Sequence, residues 1–334
     1  MDKRSWRYSC TLTASAGSPG RRRATTTPRP ALGSLRFTLP LRDAKISVIA
    51  YNANGPSAPA SIEVHWRGPG REDKATLYVL AIGVTNYQVK SLQKVRFPAK
   101  DARDFVALAK QQQGGLLYGR VVPYPKYESI LDEQATRDNI LDGLDWIKSA
   151  VETSSDVAMI FLSGHGMNTR DQHYRFLPHN YDPNHVERTT IADFEFQQYI
   201  QKIHGKTLFF FDTCFSGNVL GGKAAETTPD VDRFANELRS AKNGVVVFAS
   251  STGNELSWEP PRTKDPKLTN GAFTWAVLDG LRGKAARQGV DVITLTDLNS
   301  HVAHAVPDQT FGNQHPTFAM PTTVQDYPIA SVVR

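Results

Sequence analysis

The sequence has little cysteine, since its 334 residues include only Cys10 and Cys214. Two cysteines cannot form a disulfide framework, and no cluster of Cys and His has the spacing of zinc ligands. The sequence also lacks a long apolar run, because none reaches the roughly 18–20 residues that span a bilayer. The basic N-terminus has no apolar stretch of the kind that signal peptides contain. We therefore predict a cytoplasmic protein with no membrane association.

Basic charge is concentrated at the N-terminus. The whole sequence carries a formal net charge of +6, but residues 1–36 hold eight Lys and Arg side chains and only one acid. The rest of the chain has 31 basic and 32 acidic side chains. Such a nearly neutral body argues against a nucleic-acid partner. Residues 1–34 are rich in Arg, Ser, Thr and Pro, so we predict that they form a solvated, disordered tail.

Residues 35–67 contain short runs of alternating apolar and polar residues, separated by the turn-rich stretch NANGPSAP. This pattern predicts the last two or three strands of an immunoglobulin-like or fibronectin-like β-sandwich. So short a segment cannot bury a core of its own. It either packs on the domain that follows or continues a domain upstream. We expect a sensor domain or a partner to act through these residues.

From residue 75 onward, strands alternate with amphipathic helices, which is typical of a mostly parallel sheet. Strands are predicted over 76–84, 117–122, 156–164, 207–213 and 244–251. Helices are predicted over 99–112, 137–151, 191–203 and 271–283. Both faces of a parallel sheet must be covered. We therefore predict an α/β fold, a three-layer α/β/α sandwich, over residues 75–325.

Two of these strands end in small residues around one reactive side chain. One end reads FLSGHG and contains His165, and the other reads FDTCFSG and contains Cys214. Either residue alone is more often structural, but the carboxyl edge of such a sheet is where active sites are built. A thiol is mostly protonated at neutral pH, so a nucleophilic cysteine needs a neighbouring base. We therefore predict Cys214 as nucleophile and His165 as general base, with the backbone N–H groups of Gly166 and Cys214 donating to the oxyanion.

The motifs SGHG and DTCFSG together resemble those of the caspase/metacaspase superfamily of cysteine peptidases. The histidine stands 49 residues before the cysteine, close to the spacing of the caspase signature. The DTCFSG form is similar to bacterial caspase-like proteins with metacaspase motifs rather than to the QACRG of animal caspases. The similarity extends over about residues 75–320. It implies a caspase-like fold, cysteine endopeptidase activity and a protein or peptide substrate.

The resemblance also implies a specificity. Metacaspases bind a basic P1 side chain in an acidic S1 pocket, and the residues here that match that pocket are Asp101, Ser163 and Asp212. Animal caspases, which cleave after Asp, use arginines, one of them in a Ser-Trp-Arg segment. The similar segment here reads SWE, so Trp258 and Glu259 are expected to line S1 or S2. Carboxylates bind Arg or Lys through charge-assisted hydrogen bonds and repel Asp. We therefore predict cleavage after Arg or Lys.

Several features leave alternatives open. Arg96 lies near the position at which animal caspases have another pocket arginine, which argues against basic specificity. The loop 221–244 carries Lys223, Arg233 and Arg239, where an enzyme of basic specificity would cut itself, and an uncut surface loop is the alternative. The chain could also be an inactive caspase-like scaffold, although both reactive side chains are retained. A separase-like or legumain-like peptidase with another P1 preference is a third alternative.

Calcium binding needs a dense set of acidic ligands. Asp171, Asp182 and Asp193 follow the histidine motif but are scattered, so we expect no cofactor and no calcium requirement. His173 and His179 are expected on a strand and a loop that flank the site, without a catalytic role. Because metacaspases are usually monomeric, the resemblance also implies a monomer.

Overall fold

The structure is a computed structural model. It describes residues 44–48, 51–52, 55–64, 74–169, 173–215, 238, 244–251, 255 and 257–332. The chain divides into two compact units, Met1–Gly70 and Arg71–Arg334. Within the described ranges, no helix is both long enough and apolar enough to cross a membrane.

The described residues of the first unit contain four short strands. They are β1 (Ala44–Val48), β2 (Tyr51–Asn52), β3 (Gly55–Pro56) and β4 (Ala60–Val64). β1 pairs antiparallel with β4, and β2 pairs antiparallel with β3. The hydroxyls of Ser47 and Ser61 lie 2.8 Å apart across the first pair. The start of the predicted β-rich segment, residues 35–43, and the predicted tail over 1–34 lie outside the described residues, so the β-sandwich stays a prediction.

The second unit alternates strands and helices, as its sequence predicts. Its strands are β5 (Ala75–Gly83), β6 (Tyr118–Pro123), β7 (Ile130–Leu131), β8 (Val157–Asn168), β9 (Tyr174–Phe176), β10 (Ile191–Ala192), β11 (Lys206–Phe215), β12 (Val245–Ala249), β13 (Val292–Thr294), β14 (Thr317–Ala319) and β15 (Pro328–Ser331). Its helices are α1 (Pro98–Lys110), α2 (Arg137–Ala150), α3 (Val186–Thr189), α4 (Asp193–Ile200), α5 (Ala272–Asp279) and α6 (Leu295–Gln309).

Five strands form the parallel centre of the main sheet, in the order β6, β5, β8, β11, β12. The short β7 also pairs parallel with β5. Antiparallel strands complete the sheet, with β9 on β8, β10 on β9, and β14 on β12. β13 and β15 form a separate antiparallel pair. The mostly parallel sheet predicted from the alternation of elements is confirmed.

Side chains of the central strands alternate between two hydrophobic cores, one on each face of the sheet. On β11, Leu208 and Phe210 belong to the core that α1, α5 and α6 cover. Phe209 and Phe211 belong to the opposite core, which α2 and α4 cover. All four side chains are buried. Burial on both faces explains why the strand reads as an unbroken apolar run, and it confirms the three-layer sandwich.

Helix boundaries follow local capping and pairing. Thr136 caps α2, because its hydroxyl accepts a hydrogen bond from the N–H of Asn139 at 3.3 Å, and Thr294 and Asp297 form a capping box at the start of α6. These contacts satisfy N–H groups that a helix start leaves unpaired. The helix predicted over 191–203 is shorter, because its first two residues pair with β9 as the edge strand β10.

The two strands that carry the reactive residues run further than predicted. The sequence favoured strands over 156–164 and 207–213, with the reactive side chains just beyond them. Instead, β8 and β11 stay paired in parallel over ten residue pairs, which include His165 and Cys214. The ladder hydrogen bonds outweigh the low strand propensity of the small residues at these ends. Both reactive residues therefore lie inside paired strands.

Candidate active site

The ends of β8 and β11 bring the two motifs together. In their parallel register, Cys214 lies opposite His165, and Asp212 lies opposite Ser163. Ser163 is also opposite Gly83 at the end of β5. Neighbouring strands are about 4.8 Å apart, so the residues predicted as nucleophile and base are backbone neighbours.

The ring of His165 is buried and held by two contacts. Its Nε2 lies 2.6 Å from the carbonyl oxygen of Gln93, and its ring packs on that of Tyr87 with centroids 5.0 Å apart. A carbonyl oxygen can only accept, so Nε2 carries the proton and Nδ1 has a lone pair. Nδ1 is buried and has no hydrogen-bond partner among the described residues. Burial lowers the pKa of His165, and the bond to Gln93 opposes that shift in part. His165 therefore has a neutral imidazole whose Nδ1 can accept a proton.

Glycine is required at the position before His165. Gly164 has a φ of 150°, and a Cβ there would lie 2.8 Å from Oη of Tyr87 and 3.2 Å from the ring of Phe176. The lack of a side chain lets Tyr87 accept a hydrogen bond from the N–H of His165 at 2.7 Å. Gly166, the expected oxyanion donor, lies opposite Phe176 in the register of β8 with β9. Its role stays a prediction.

Two buried carboxylates meet at the start of α5. Asp101, in the first turn of α1, accepts a hydrogen bond from Nδ2 of Asn270 at 2.7 Å and one from the N–H of Gly271 at 3.3 Å. Asp212 accepts one from the hydroxyl of Thr274 at 2.6 Å. A Cβ at Gly271 would lie 3.3 Å from Oδ2 of Asp101 and 3.5 Å from Oδ2 of Asp212. Both aspartates therefore face the same glycine, as members of one pocket would.

The carboxylates of this cluster are costly to ionise. Burial, and then the charge of Asp212, raise the pKa of Asp101 well above its ordinary value. Burial also raises the pKa of Asp212, and the hydroxyls of Thr274, Ser257 and Ser250 oppose that shift. Among the described residues, neither aspartate has an ion pair with Lys or Arg. A cationic side chain brought to both carboxylates would therefore lower the cost of their ionisation.

Three other predicted pocket residues lie near this cluster. Ser163 is buried opposite Asp212. The half-buried Trp258 accepts a hydrogen bond at its carbonyl from the N–H of Ala272, 2.9 Å away. Glu259 follows it, and its charge raises the pKa of Asp101 after the larger effects of burial and Asp212. The SWE segment is thus joined to the start of α5.

Arg96 does not point its charge at either aspartate. Its Nη1 donates to the carbonyl oxygen of Pro260 at 3.2 Å, and its guanidinium lies 5.5 Å from the ring centroid of Phe97. These contacts do not test P1 specificity, so the effect of Arg96 on it stays a prediction.

Several residues of the site were missed by the sequence analysis. Gln93 acts through its backbone carbonyl, which leaves no signal in its side chain. Tyr87, Asn270 and Thr274 act through side chains but stand far in sequence from both motifs. The dipeptide Asn270-Gly271 before an apolar helix was a detectable helix-start signal, but its link to Asp101 depends on tertiary structure.

Gln314 was also missed, and its fully buried side chain joins both ends of the segment that leads to SWE. Its Nε2 donates to the carbonyl oxygen of Ser250 and its Oε1 accepts from the N–H of Trp258, each at 2.8 Å.

We expect Gln314→Ala to lower the free energy of unfolding by about 2–3 kcal/mol, because two backbone groups lose their partner. Urea unfolding checks this. Gln309→Ala, which removes an exposed bond to Asp265, is the control, and an equal loss there would contradict the prediction.

The remaining acidic and histidine residues form local pairs. Nδ1 of His173 lies 2.9 Å from Oδ1 of Asp193, and Nδ1 of His179 donates to the carbonyl oxygen of Asn86 at 2.7 Å. The carboxylate of Asp182 accepts a hydrogen bond from the backbone N–H of Asn184. Within the described part of the chain, no three metal-ligating side chains cluster. Asp171 lies outside the described residues, and calcium independence stays a prediction.

Comparison with known proteins agrees with this fold. The caspase domain family matches residues 76–327, and the chain belongs to this family of cysteine peptidases. Metacaspase-1 of Lodderomyces elongisporus is 31% identical over 133 residues, which cover 36% of this chain and 29% of that protein. The matched region is thus less than a third of its length.

Two solved structures have a similar chain fold. A protein from Geobacter sulfurreducens has a TM-score of 0.50 and 17% identity, over 75% of this chain and 95% of its own. Caspase-1 from Spodoptera frugiperda has a TM-score of 0.46 and 14% identity, over 75% of this chain and 88% of its own.

Proposed function

We propose that this protein is a cysteine endopeptidase that cleaves peptide bonds after Arg or Lys, with Cys214 as nucleophile and His165 as general base. The observation that carries the proposal is the pairing of these two residues across β8 and β11, with Nε2 of His165 bound to the carbonyl of Gln93. This arrangement leaves Nδ1 as the proton acceptor.

The proposed reaction has two stages. Nδ1 of His165 accepts the thiol proton of Cys214, and the thiolate attacks the scissile carbonyl to give a tetrahedral oxyanion. The N–H groups of Gly166 and Cys214 are the proposed donors to that oxyanion. His165 then protonates the leaving amine as the C–N bond breaks. A water molecule, deprotonated by His165, hydrolyses the thioester and releases the acid and the free thiol.

The specificity part of the proposal depends on Asp101 and Asp212, with Ser163 beside them. Their burial and the distance of both from Gly271 support a pocket that is acidic and narrow. A P1 guanidinium or ammonium would offset the burial and the mutual repulsion that raise the pKa of Asp101. A P1 aspartate would add a third negative charge.

The steps above need no metal ion, so calcium independence belongs to the proposal. The substrate class is a protein or peptide, and the chain is proposed to act as a cytoplasmic monomer. A partner or sensor acting through residues 35–67 stays part of the same proposal.

Hydrolysis of peptides that differ only at P1 (Arg, Lys, Asp or Ala) tests the proposal, with and without calcium. We expect the Arg and Lys peptides to be cleaved about 100-fold faster than the others, without calcium, and Cys214→Ala to cleave none. Cleavage of the Asp peptide instead would contradict the roles of Asp101 and Asp212 but keep the dyad. No cleavage of any peptide would favour an inactive scaffold.

A further inference from the structure

The segment between β5 and α1, residues 84–97, is irregular and holds His165 from two positions. Oη of Tyr87 accepts from the backbone N–H of His165 at 2.7 Å. The carbonyl of Gln93 accepts from Nε2 of the same residue at 2.6 Å. The orientation of the imidazole therefore depends on how firmly this segment is fixed.

The segment is anchored at both ends, on either side of Gln93. Towards its start, the N–H of Gln88 donates to the carbonyl of His179 at 3.0 Å. Between the anchors, the side chains of Gln93 and Lys94 are exposed. The neighbouring Leu92 is buried in the hydrophobic core, so the carbonyl of Gln93 depends for its position on this packing and on the two anchors.

The anchor at the far end is Glu259. Its carboxylate accepts from the N–H of Arg96, with Oε2 at 3.0 Å and Oε1 at 3.3 Å. The N–H of Phe97 also bonds to this carboxylate. In the other direction, Nη1 of Arg96 donates to the carbonyl of Pro260 at 3.2 Å. Three hydrogen bonds therefore tie residues 96–97 to residues 259–260, only three residues after Gln93.

We propose that Glu259 is a positioning residue for His165, which acts by holding residues 96–97 and, through them, the carbonyl of Gln93. This role differs from that of a wall of the P1 pocket, because it requires a hydrogen-bond acceptor of the right length rather than a negative charge. It rests on the proposed function only in that His165 must pair with Cys214. It also couples the pocket segment to the base, because Glu259 directly follows Trp258.

Two variants separate the acceptor from the charge. Glu259→Gln keeps an oxygen at the same distance but removes the charge, whereas Glu259→Asp keeps the charge and withdraws the oxygen by one methylene. Glu255→Ala is the control, since its carboxylate bonds only to His315 among the described residues. All are made with Cys10→Ser, so that Cys214 is the single thiol.

The first readout is the rate at which iodoacetamide alkylates Cys214 between pH 5 and pH 9, because this reagent has no P1 side chain. We expect Glu259→Asp to slow alkylation at pH 6.5 by about tenfold, which is the loss of one hydrogen bond to a charged acceptor. Glu259→Gln is expected to stay within about threefold of the parent, and the control to match the parent. The second readout is kcat on the Arg peptide, which should follow the same order.

The opposite order, with Glu259→Gln slow and Glu259→Asp fast, would overturn the proposal in favour of a charge effect. Unchanged alkylation in both variants, with only KM raised for the Arg peptide, would overturn it in favour of a pocket wall. His165→Ala in the same assay separates this proposal from the function. Alkylation as fast as in the parent would show that the dyad itself is wrong, whatever the two Glu259 variants do.

Discussion

Replacement of His165 by alanine is expected to lower kcat/KM on the Arg peptide by about 10³-fold, the middle of the range for loss of a general base. The residue lies opposite Cys214, and its Nε2 is bound to the carbonyl of Gln93, so Nδ1 is the atom proposed to accept the thiol proton. Without the imidazole, the proposed nucleophile has no base and the leaving amine has no proton donor. Initial rates on the Arg peptide measure the loss.

The pH profile of the parent protein adds a second expected result. Burial lowers the pKa of His165, so its imidazole stays neutral at pH values where an ordinary histidine, with a pKa of about 6.5, is half protonated. Only the neutral ring can accept a proton, and kcat/KM should therefore fall on the acid side below pH 6.5. A decrease in kcat/KM that already begins above pH 6.5 as the pH is lowered would contradict the assignment of His165.

His173→Ala is the matched control for His165→Ala. Its half-exposed imidazole is bonded to the buried Asp193. We expect its kcat/KM to stay within about threefold of the parent, since His173 has no role in the proposed reaction. A loss in His173→Ala as large as in His165→Ala would show that either change simply disturbs the structure.

The sequence was sufficient for elements whose pattern is local. The apolar run over 207–213 and the amphipathic pattern over 137–151 predicted a buried strand and a helix, and both occur. The pairing of Asp212 with Ser163 and of Cys214 with His165 was not readable from either motif alone. It follows from the register of two strands whose paired residues stand 49 positions apart in sequence.

What could not be predicted depends on backbone groups or on distant contacts. Gln93 supplies only a carbonyl, which every residue type has, so its sequence identity is uninformative. Gln314 and Asn270 reach the pocket from segments that are distant from the motifs, and their contacts exist only after the sheet has formed. Tertiary structure determines such contacts, whereas local propensity determines strands and caps.

The second large effect is expected for Asp212→Asn. Removing this carboxylate should lower kcat/KM on the Arg peptide by about 100-fold, because a buried charge pair with P1 is lost. The hydrolysis of an Ala peptide should change little by comparison. The same variant should be more stable than the parent at pH 8, by about 1 kcal/mol, since a buried charge is replaced by a neutral group of the same shape. Urea unfolding at pH 8 and at pH 5 measures this difference.

The sign of the stability change follows from the direction of the pKa shift. Burial raises the pKa of Asp212 in the folded protein, so its stabilising contribution is present below the unfolded pKa of about 3.9 and is lost as pH rises through the folded value. Asp212→Asn removes this pH-dependent loss of stability. The variant should therefore exceed the parent in free energy of unfolding by less at pH 5 than at pH 8. A larger difference at pH 5 would contradict the raised pKa of Asp212.

Asp101→Asn makes the comparison specific, because the two aspartates differ in their partners. Those of Asp212 are the hydroxyls of Thr274, Ser257 and Ser250, which can accept as well as donate, and the backbone N–H of Thr274, which only donates. An asparagine can turn its oxygen to that N–H and its NH₂ group to a hydroxyl, and can therefore keep that network. Those of Asp101 are the amide of Asn270 and the N–H of Gly271, which only donate. In Asp101→Asn, the new side-chain NH₂ group would face one of these two donors. This variant should therefore cleave the Arg peptide more slowly and should not be more stable than the parent. Equal stabilisation by both variants would mean that charge alone, and not the matching of donors and acceptors, governs the stability of this pocket.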